Sequence, residues 1–575
     1  VPPVKPIPVK FGKDGDLALK EYVKDQIKIL QNGLKTLHTE KVDKWRRLYK
    51  GQPEEDVRSF PWRNASNLVV QVIGENVETL VAYVIGSIYE VMPIYNTGLV
   101  GDWGSEQKGA EQQGVIQEFM NLVALEPNLL DLYRVESSAV ADAVKYGTVA
   151  VKLPWITEME ALAIGDAGGK IEFENFTKYD GPRPEKIEFE RWAATPSATK
   201  LETATFKYHE VPLKKQQMEE RFFLGVFDKG SKELDSKSTQ DKVMDSPDYP
   251  NGLDAKQLKK DQDSGISQGS ATNDPTWLIH ECWFPYFKDG KTFKIIYTYH
   301  EKTETTLRAI YNFYPGNEEP WELGRLGYTE DGLYGYGYCE MLEHYQEESS
   351  SSHNQRSDAR TLANTSVIRV DPDRLLDAQF SASPMGILPF KEGEVEIFNL
   401  GRESQAAYDI SSEQHALMLA KARAGTEDGG MQAPGGATTN KKGGLSAMGT
   451  FSVLQAGNRR RNIRVTDMRY LHLRMGRKFL KQYAEFGTGD IGKFFGNKEQ
   501  YLKMALESVK KGRLYLPIRA ATASVNKELE KQNDMLLTQV MQRHHMGISQ
   551  ILQSVQNPSL PPEIKQFLMG WIDSS

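Results

Sequence analysis

The aspartates of "DPDRLLD", Asp371, Asp373 and Asp377, are close enough in sequence to share a divalent cation, and metal nucleases activate water at carboxylates held in this way. No companion acidic or lysine motif accompanies them, and Asp-Pro opens turns, so a polar turn is the preferred reading of the stretch. Asp261, Asp263 and Gly265 begin like a calcium loop, but its last ligand position holds Thr272 where a bidentate glutamate is needed. His544 and His545 are adjacent, so on a helix they point about 100° apart and cannot chelate one ion as an i, i+4 pair does. "GYGYCE", from Gly335, lacks the third glycine of a dinucleotide loop and reads as a turn with close helix packing. No phosphate-binding loop, zinc-protease helix or nucleophile elbow occurs. Cys282 and Cys339 lack the paired spacing of a zinc site and read as buried, reduced and structural. No catalytic residue, metal ligand or cofactor is therefore assigned.

Three other stretches call for elements to hold them: the polar run "EESSSSHNQRSD" around Ser350, the glycine-rich "AGTEDGGMQAPGGATTNKKGGLSAMG", and the basic run around Arg460. Residues 16 to 50 read as a helix. Val69, Val72, Ile73, Val77, Leu80, Val84 and Ile88 keep helical spacing up to Pro93, which predicts a buried core helix. Residues 111 to 146 read as helix, and "KYGTVAVKLPWI" as a turn at Gly147 into an alternating strand. Aromatic and β-branched segments between Lys186 and Phe313 predict antiparallel strands, interrupted by a charged stretch at 228–275 that composition assigns to surface insertion or partial disorder. Beyond Gly335 the chain is mainly helical. Ser411 with Gln414 reads as a capping box, and Gly425 as the end of that helix. Met468, Leu471, Met475, Phe479, Tyr483 and Phe486 share one face of the next helix, with Arg474, Arg477 and Lys481 opposite.

The 575 residues, 39% hydrophobic, suit a large globular α+β chain. The apolar run from Thr79 to Tyr89 is shorter than the roughly 20 residues of a membrane span, and "VPPVKPIPVKF" has no signal-peptide core, so a cytoplasmic site of synthesis without membrane contact is expected. A net charge of −7 argues against coating nucleic acid through overall charge.

The order of these pieces, with "WRRLYKGQ", "FPWRNASNLVVQVI" and "VKYGTVAVKLPW" near the N-terminus, resembles the portal proteins of tailed bacteriophages, in particular those of short-tailed phages. The resemblance implies a helix-rich α+β portal fold. Its wing would span 1–335 with an insertion at 228–275, its first stem helix 336–364, its clip 365–403 and its second stem helix 404–424. A tunnel loop would follow at 425–447, a long basic helix returning to the wing at 448–520, and a crown at 521–575. It further implies a ring of twelve copies at one capsid vertex of the virion, assembled in the host cytoplasm, through which double-stranded DNA is packaged, retained and ejected. A terminase motor, the major capsid protein and a tail adaptor are the implied partners. Helices of this length, side by side at about 10 Å, leave a lumen on the order of 30 Å, wide enough for a duplex. Motor and conduit being separate, no catalytic constellation is required of this chain.

On that reading Glu343, Glu347 and Glu348 are expected on or near the channel side, and Lys441 and Lys442 to make weak, moving phosphate contacts. Arg459, Arg460 and Arg461 would meet either DNA or acidic groups of a neighbouring subunit, the neighbour being preferred. The polar run becomes the distal part of a stem helix, weakly helical in an isolated subunit and fully helical in the ring. Another virion connector or tail adaptor without a DNA tunnel is the main alternative, and a metal nuclease built on Asp371 and Asp373 the lesser one.

Overall fold

A computed structural model describes residues 6–54, 57–59, 62–90, 93–99, 106–126, 129–166, 171–230, 238–252, 254–263, 274–327, 332–364, 368–370, 387–389, 403–425, 447–487, 499–512 and 514–516. The helices in chain order are α1 (Lys13–Gly33), α2 (Val42–Lys50), α3 (Val72–Tyr89), α4 (Glu106–Leu125), α5 (Leu132–Tyr146) and α6 (Lys215–Phe223). They continue with α7 (Thr239–Met244), α8 (Ala255–Asp263), α9 (Tyr338–Asn364), α10 (Glu403–Ala424), α11 (Ala447–Phe486) and α12 (Glu499–Lys510). The strands are β1 (Gly98–Leu99), β2 (Thr148–Lys152), β3 (Trp155–Asp166), β4 (Ile171–Pro182), β5 (Glu185–Ile187), β6 (Trp192–Ala194) and β7 (Lys207–Lys214). After them come β8 (Thr276–Lys288), β9 (Lys291–His300), β10 (Thr305–Tyr311), β11 (Trp321–Arg325), β12 (Ile368–Val370), β13 (Ile387–Pro389) and β14 (Leu514–Tyr515).

The architecture is α+β. An antiparallel sheet of order β10-β9-β8-β7-β6 packs one face on α1 through Leu19, Val23, Ile27 and Leu30. A smaller sheet, β11-β2-β5, lies within the largest core, which α3, α4, α5 and α11 enclose. The apolar spacing of α3 does put Val72, Ile73, Val77, Leu80, Val84 and Ile88 inside, and the face of α11 from Met468 to Phe486 is likewise buried. Both cysteines are buried and free, and burial pushes the Cys339 thiol up to about 12. Among the described residues no helix is long and apolar enough to cross a membrane.

Several expectations are corrected. The helix expected over 111 to 146 is two, because Pro127, lacking an N–H, follows the end of α4 at Leu125. Strand β2 does not alternate: all five residues are buried, since it is the central strand of its sheet and is covered on both faces. Ser411 is no cap, since α10 starts eight residues earlier at Glu403, although Gly425 does end it with φ +76°. Asp261 and Asp263, whose calcium-loop pattern already fails at Thr272, lie on helix α8.

The described parts of the charged insertion are packed. Ser238 caps α7 by accepting the Asp241 N–H at 3.1 Å, Val243 is buried, and the Trp277 indole donates to the Val243 carbonyl at 2.7 Å. Helix α8 sits on fixed charges. Lys256 meets Glu210 at 3.1 Å, Lys260 meets Glu188 at 2.6 Å, Lys259 pairs with Asp43 and Asp254 with Arg191. Composition marks such a segment as polar without revealing that its charges are matched by fixed partners.

Candidate functional site: the polar side of a helical hairpin

Helix α9 begins where two glycine segments cross. A Cβ on Gly337 would overlap the Lys145 carbonyl, and one on Gly147, at φ +85°, would overlap the Tyr336 backbone. The "GYGYCE" glycines thus serve close backbone approach. Tyr338, Cys339 and Leu342 then enter the main core fully buried.

From Gln346 onward the helix is held differently. Residues 66–71 lie beside it as a non-helical strap that runs into the start of α3, and backbone donors between 66 and 73 are taken up by side chains spaced four apart on α9. Asp358 accepts the Ser66 N–H at 2.7 Å, Asn354 that of Leu68 at 2.9 Å, Ser350 that of Val70 at 3.1 Å, and Gln346 that of Ile73 at 2.8 Å. Asn354 also donates to the Leu68 carbonyl at 2.9 Å, so its amide pairs with that peptide as a neighbouring strand would. Gln346 donates to the Leu48 carbonyl at 2.7 Å, which ties in the end of α2. The match is geometric for the rungs at Ser66, Leu68 and Val70, where four helical residues rise about 6.0 Å and two extended residues about 6.6 Å; the last rung, Ile73, lies three residues on, in the first turn of α3. Arg58 closes the far end, donating to the Ser66 carbonyl at 2.9 Å beside Asp358.

The polar run around Ser350 is therefore helical in the single chain, with no neighbouring subunit beside it. It exchanges an apolar stripe for a ladder of satisfied backbone groups. These residues were missed as a group, although the repeat Gln346, Ser350, Asn354, Asp358 is visible in the sequence.

Helix α10 runs antiparallel to α9. The Tyr338 hydroxyl donates to the Ala424 carbonyl at 2.6 Å, while Arg356 reaches Glu413 at 2.5 Å. Arg464 of α11 stacks 5.0 Å from the Tyr338 ring and donates to that same carbonyl at 2.9 Å, locking three helices at one point. Between the two hairpin helices in sequence, β12 and β13 pair in parallel.

Three sides of α9 are thus occupied, and the fourth is open. His344, Glu348, Ser351, Gln355 and Ala359 are all exposed and fall within about 80° of one another around the helix. Of the expected channel acids, only Glu348 belongs to this stripe. Glu343 and Glu347 both pair with Lys44 of α2, the latter at 2.9 Å, and Lys41 pairs with Glu340 at 3.0 Å. The hydrogen bond that Lys44 donates to Glu343 is the largest of the effects that raise the Lys44 pKa. Beside this ladder lies a cleft of about 210 Å³ lined by Lys44, Arg47, Gln346, Ser350 and Asn354.

Lys441 and Lys442 lie outside the described residues, as do Asp371, Asp373, Asp377, His544 and His545. Arg459, Arg460 and Arg461 fall within α11, in a part whose side chains are not described. Among the described residues no group of three His, Cys, Asp or Glu side chains is placed to hold a metal ion. No protein-family model matches this chain, and no curated protein matches it.

Proposed function

We propose that this chain is the subunit of a portal ring, a passive conduit for double-stranded DNA at one vertex of a tailed-phage capsid. The observation that supports the reading is the hairpin: two long antiparallel helices stand on an α+β body with one polar stripe left open. A β-paired segment lies between them in sequence, and a 40-residue helix follows and returns through the core. Twelve such hairpins at about 10 Å spacing leave a lumen on the order of 30 Å.

The charge of the stripe suits sliding. A lumen rich in fixed lysine and arginine would hold DNA through counterion release, and a lumen of unpaired carboxylates would repel it. Here Lys44 pairs with two of the three acids and offsets part of their charge, leaving histidine, serine, glutamine and a single glutamate on the open side. The subunit does no covalent chemistry on this reading. A terminase motor supplies the work of packaging, and the capsid protein and a tail adaptor bind the outside of the ring.

Electron images of the purified full chain test the proposal. Annular particles with a countable number of subunits and an open centre are expected. A monomer at all concentrations, or a particle closed at its axis, overturns it.

A further inference from the structure

Strands β3 and β4 form a two-stranded sheet that pairs with no other strand among the described residues. Its base is pinned. The Trp155 indole donates to Asp180 at 2.9 Å, Thr157 donates to the same carboxylate at 2.7 Å, Arg183 pairs with Glu158, and the Trp155 ring meets Phe486 edge-on at 5.5 Å. Past that base the side chains described are in water on both faces. Glu160, Ala161, Leu162 and Ala163 are consecutive and all exposed, as are Glu174, Phe176, Thr177 and Lys178. The register sets Glu160 opposite Phe176 and Leu162 opposite Glu174, which places Leu162 and Phe176 diagonally on one face, 56% and 43% exposed.

A lone two-stranded ribbon is marginal in water, and it gains stability when a face is covered. This one reaches about 25 Å beyond its base and is about 10 Å wide. Covering one face would bury on the order of 500 Å² counted over both partners. Covering both faces gives about 1,000 Å², the area at which specific interfaces begin.

We propose that this ribbon is an exchange arm that docks on an adjacent copy of the same chain, with Leu162 and Phe176 as its anchors. The occupant rests on the ring reading, in which an identical neighbour stands within reach on either side. The contact is heterologous, arm to body. Glu160 is already paired with Lys178, and two arms meeting face to face would set Glu174 against the same carboxylate of the other copy, which Coulomb repulsion disfavours. Heterologous contacts close into rings, and each copy then gives one arm and receives one.

A photocross-linker tests it. Phe176→Cys in the full chain, labelled with a benzophenone maleimide, carries the probe at one site because Cys282 and Cys339 are buried. Irradiation of the assembled protein is expected to give covalent oligomers of the chain. A second variant, Leu162→Ser with Phe176→Ser, changes exposed positions. It is expected to melt like the wild type as a monomer while raising the concentration for half-assembly roughly tenfold or more. Rings without intermolecular cross-links, or an unchanged assembly concentration in the double variant, overturn the arm and leave the conduit standing. Cross-linked pairs that never close into rings support the arm and overturn the conduit, and a chain that stays monomeric at every concentration overturns both.

Discussion

The two ends of α9 are held by opposite means, although they belong to one continuous helix. At its start Tyr338, Cys339 and Leu342 are buried in the apolar core. From Gln346 to Asp358 the helix is held by amide, hydroxyl and carboxylate groups that take the backbone donors of the strap. The first mode is tolerant of side-chain shape and intolerant of crowding. The second depends on partners in register, and each group left unmet in the interior costs more than the bond was worth. A helix with a polar run can therefore be rigid where a periodicity argument expects it to fray.

The difference can be broken at either end. Gly337→Val forces a Cβ into the Lys145 carbonyl, and neither backbone can yield, so a loss of about 3 kcal/mol or more, or no folded protein, is expected in thermal melts. Asn354→Leu keeps the volume and removes three hydrogen bonds, to the Ser66 hydroxyl and to both groups of the Leu68 peptide. It should cost about 2 to 3 kcal/mol and deprotect the amides of 66–70 in hydrogen exchange, with the buried start of α9 still protected. Equal deprotection along the whole helix would show that the two ends are one cooperative unit.

Acid sharpens the same contrast, because the amide and hydroxyl rungs do not titrate while the body carries buried ionisable groups. Burial holds the His209 imidazole down at about 3 and that of His38 at about 4, with Lys152 and Lys256 adding to the effect. The unfolded chain takes up these protons first, so stability is lost as pH falls below about 6.5. Burial would raise Glu281, but Lys152 and Arg221 outweigh it and bring the carboxyl to about 2, so its contribution is present above about 4.5 and lost below that. Urea unfolding at pH 6 is expected to give about 1.4 kcal/mol less stability than at pH 7, about 0.7 from each histidine. Hydrogen exchange should report the loss across the body, with the Leu68 and Val70 amides following only global opening. The smallest effect belongs to Lys44→Ala. Its partners are partly exposed, so about 0.5 kcal/mol is expected, disappearing in high salt.

Much of the body was legible because its signals are local. The buried residues of α3 and the Met468 to Phe486 face of α11 follow from helical spacing, and the aromatic, β-branched strands of the large sheet from propensity. The errors arose where burial or partners come from elsewhere in the chain. Alternation in β2 vanished because both its faces are covered. Ser411 resembles a cap only until the residues before it are seen to be helical. The charges of 254–260 look like a solvated surface until Arg191, Glu188, Glu210 and Asp43 are placed beneath them. In the candidate site, the open stripe could be anticipated only as polar. Which acids remain free depends on Lys44, some 300 residues distant in sequence.

Taken alone, the sequence determined the α+β class, the apolar faces of the main helices and the absence of familiar catalytic motifs, because each rests on residue type and spacing within one segment. Only the tertiary structure decided that the helix through the serine-rich run is laced to a strap, which of its sides stays open, and that β3 and β4 project as a ribbon. Those outcomes depend on hydrogen bonds and charges between segments far apart in the chain, and no local pattern encodes which partner arrives.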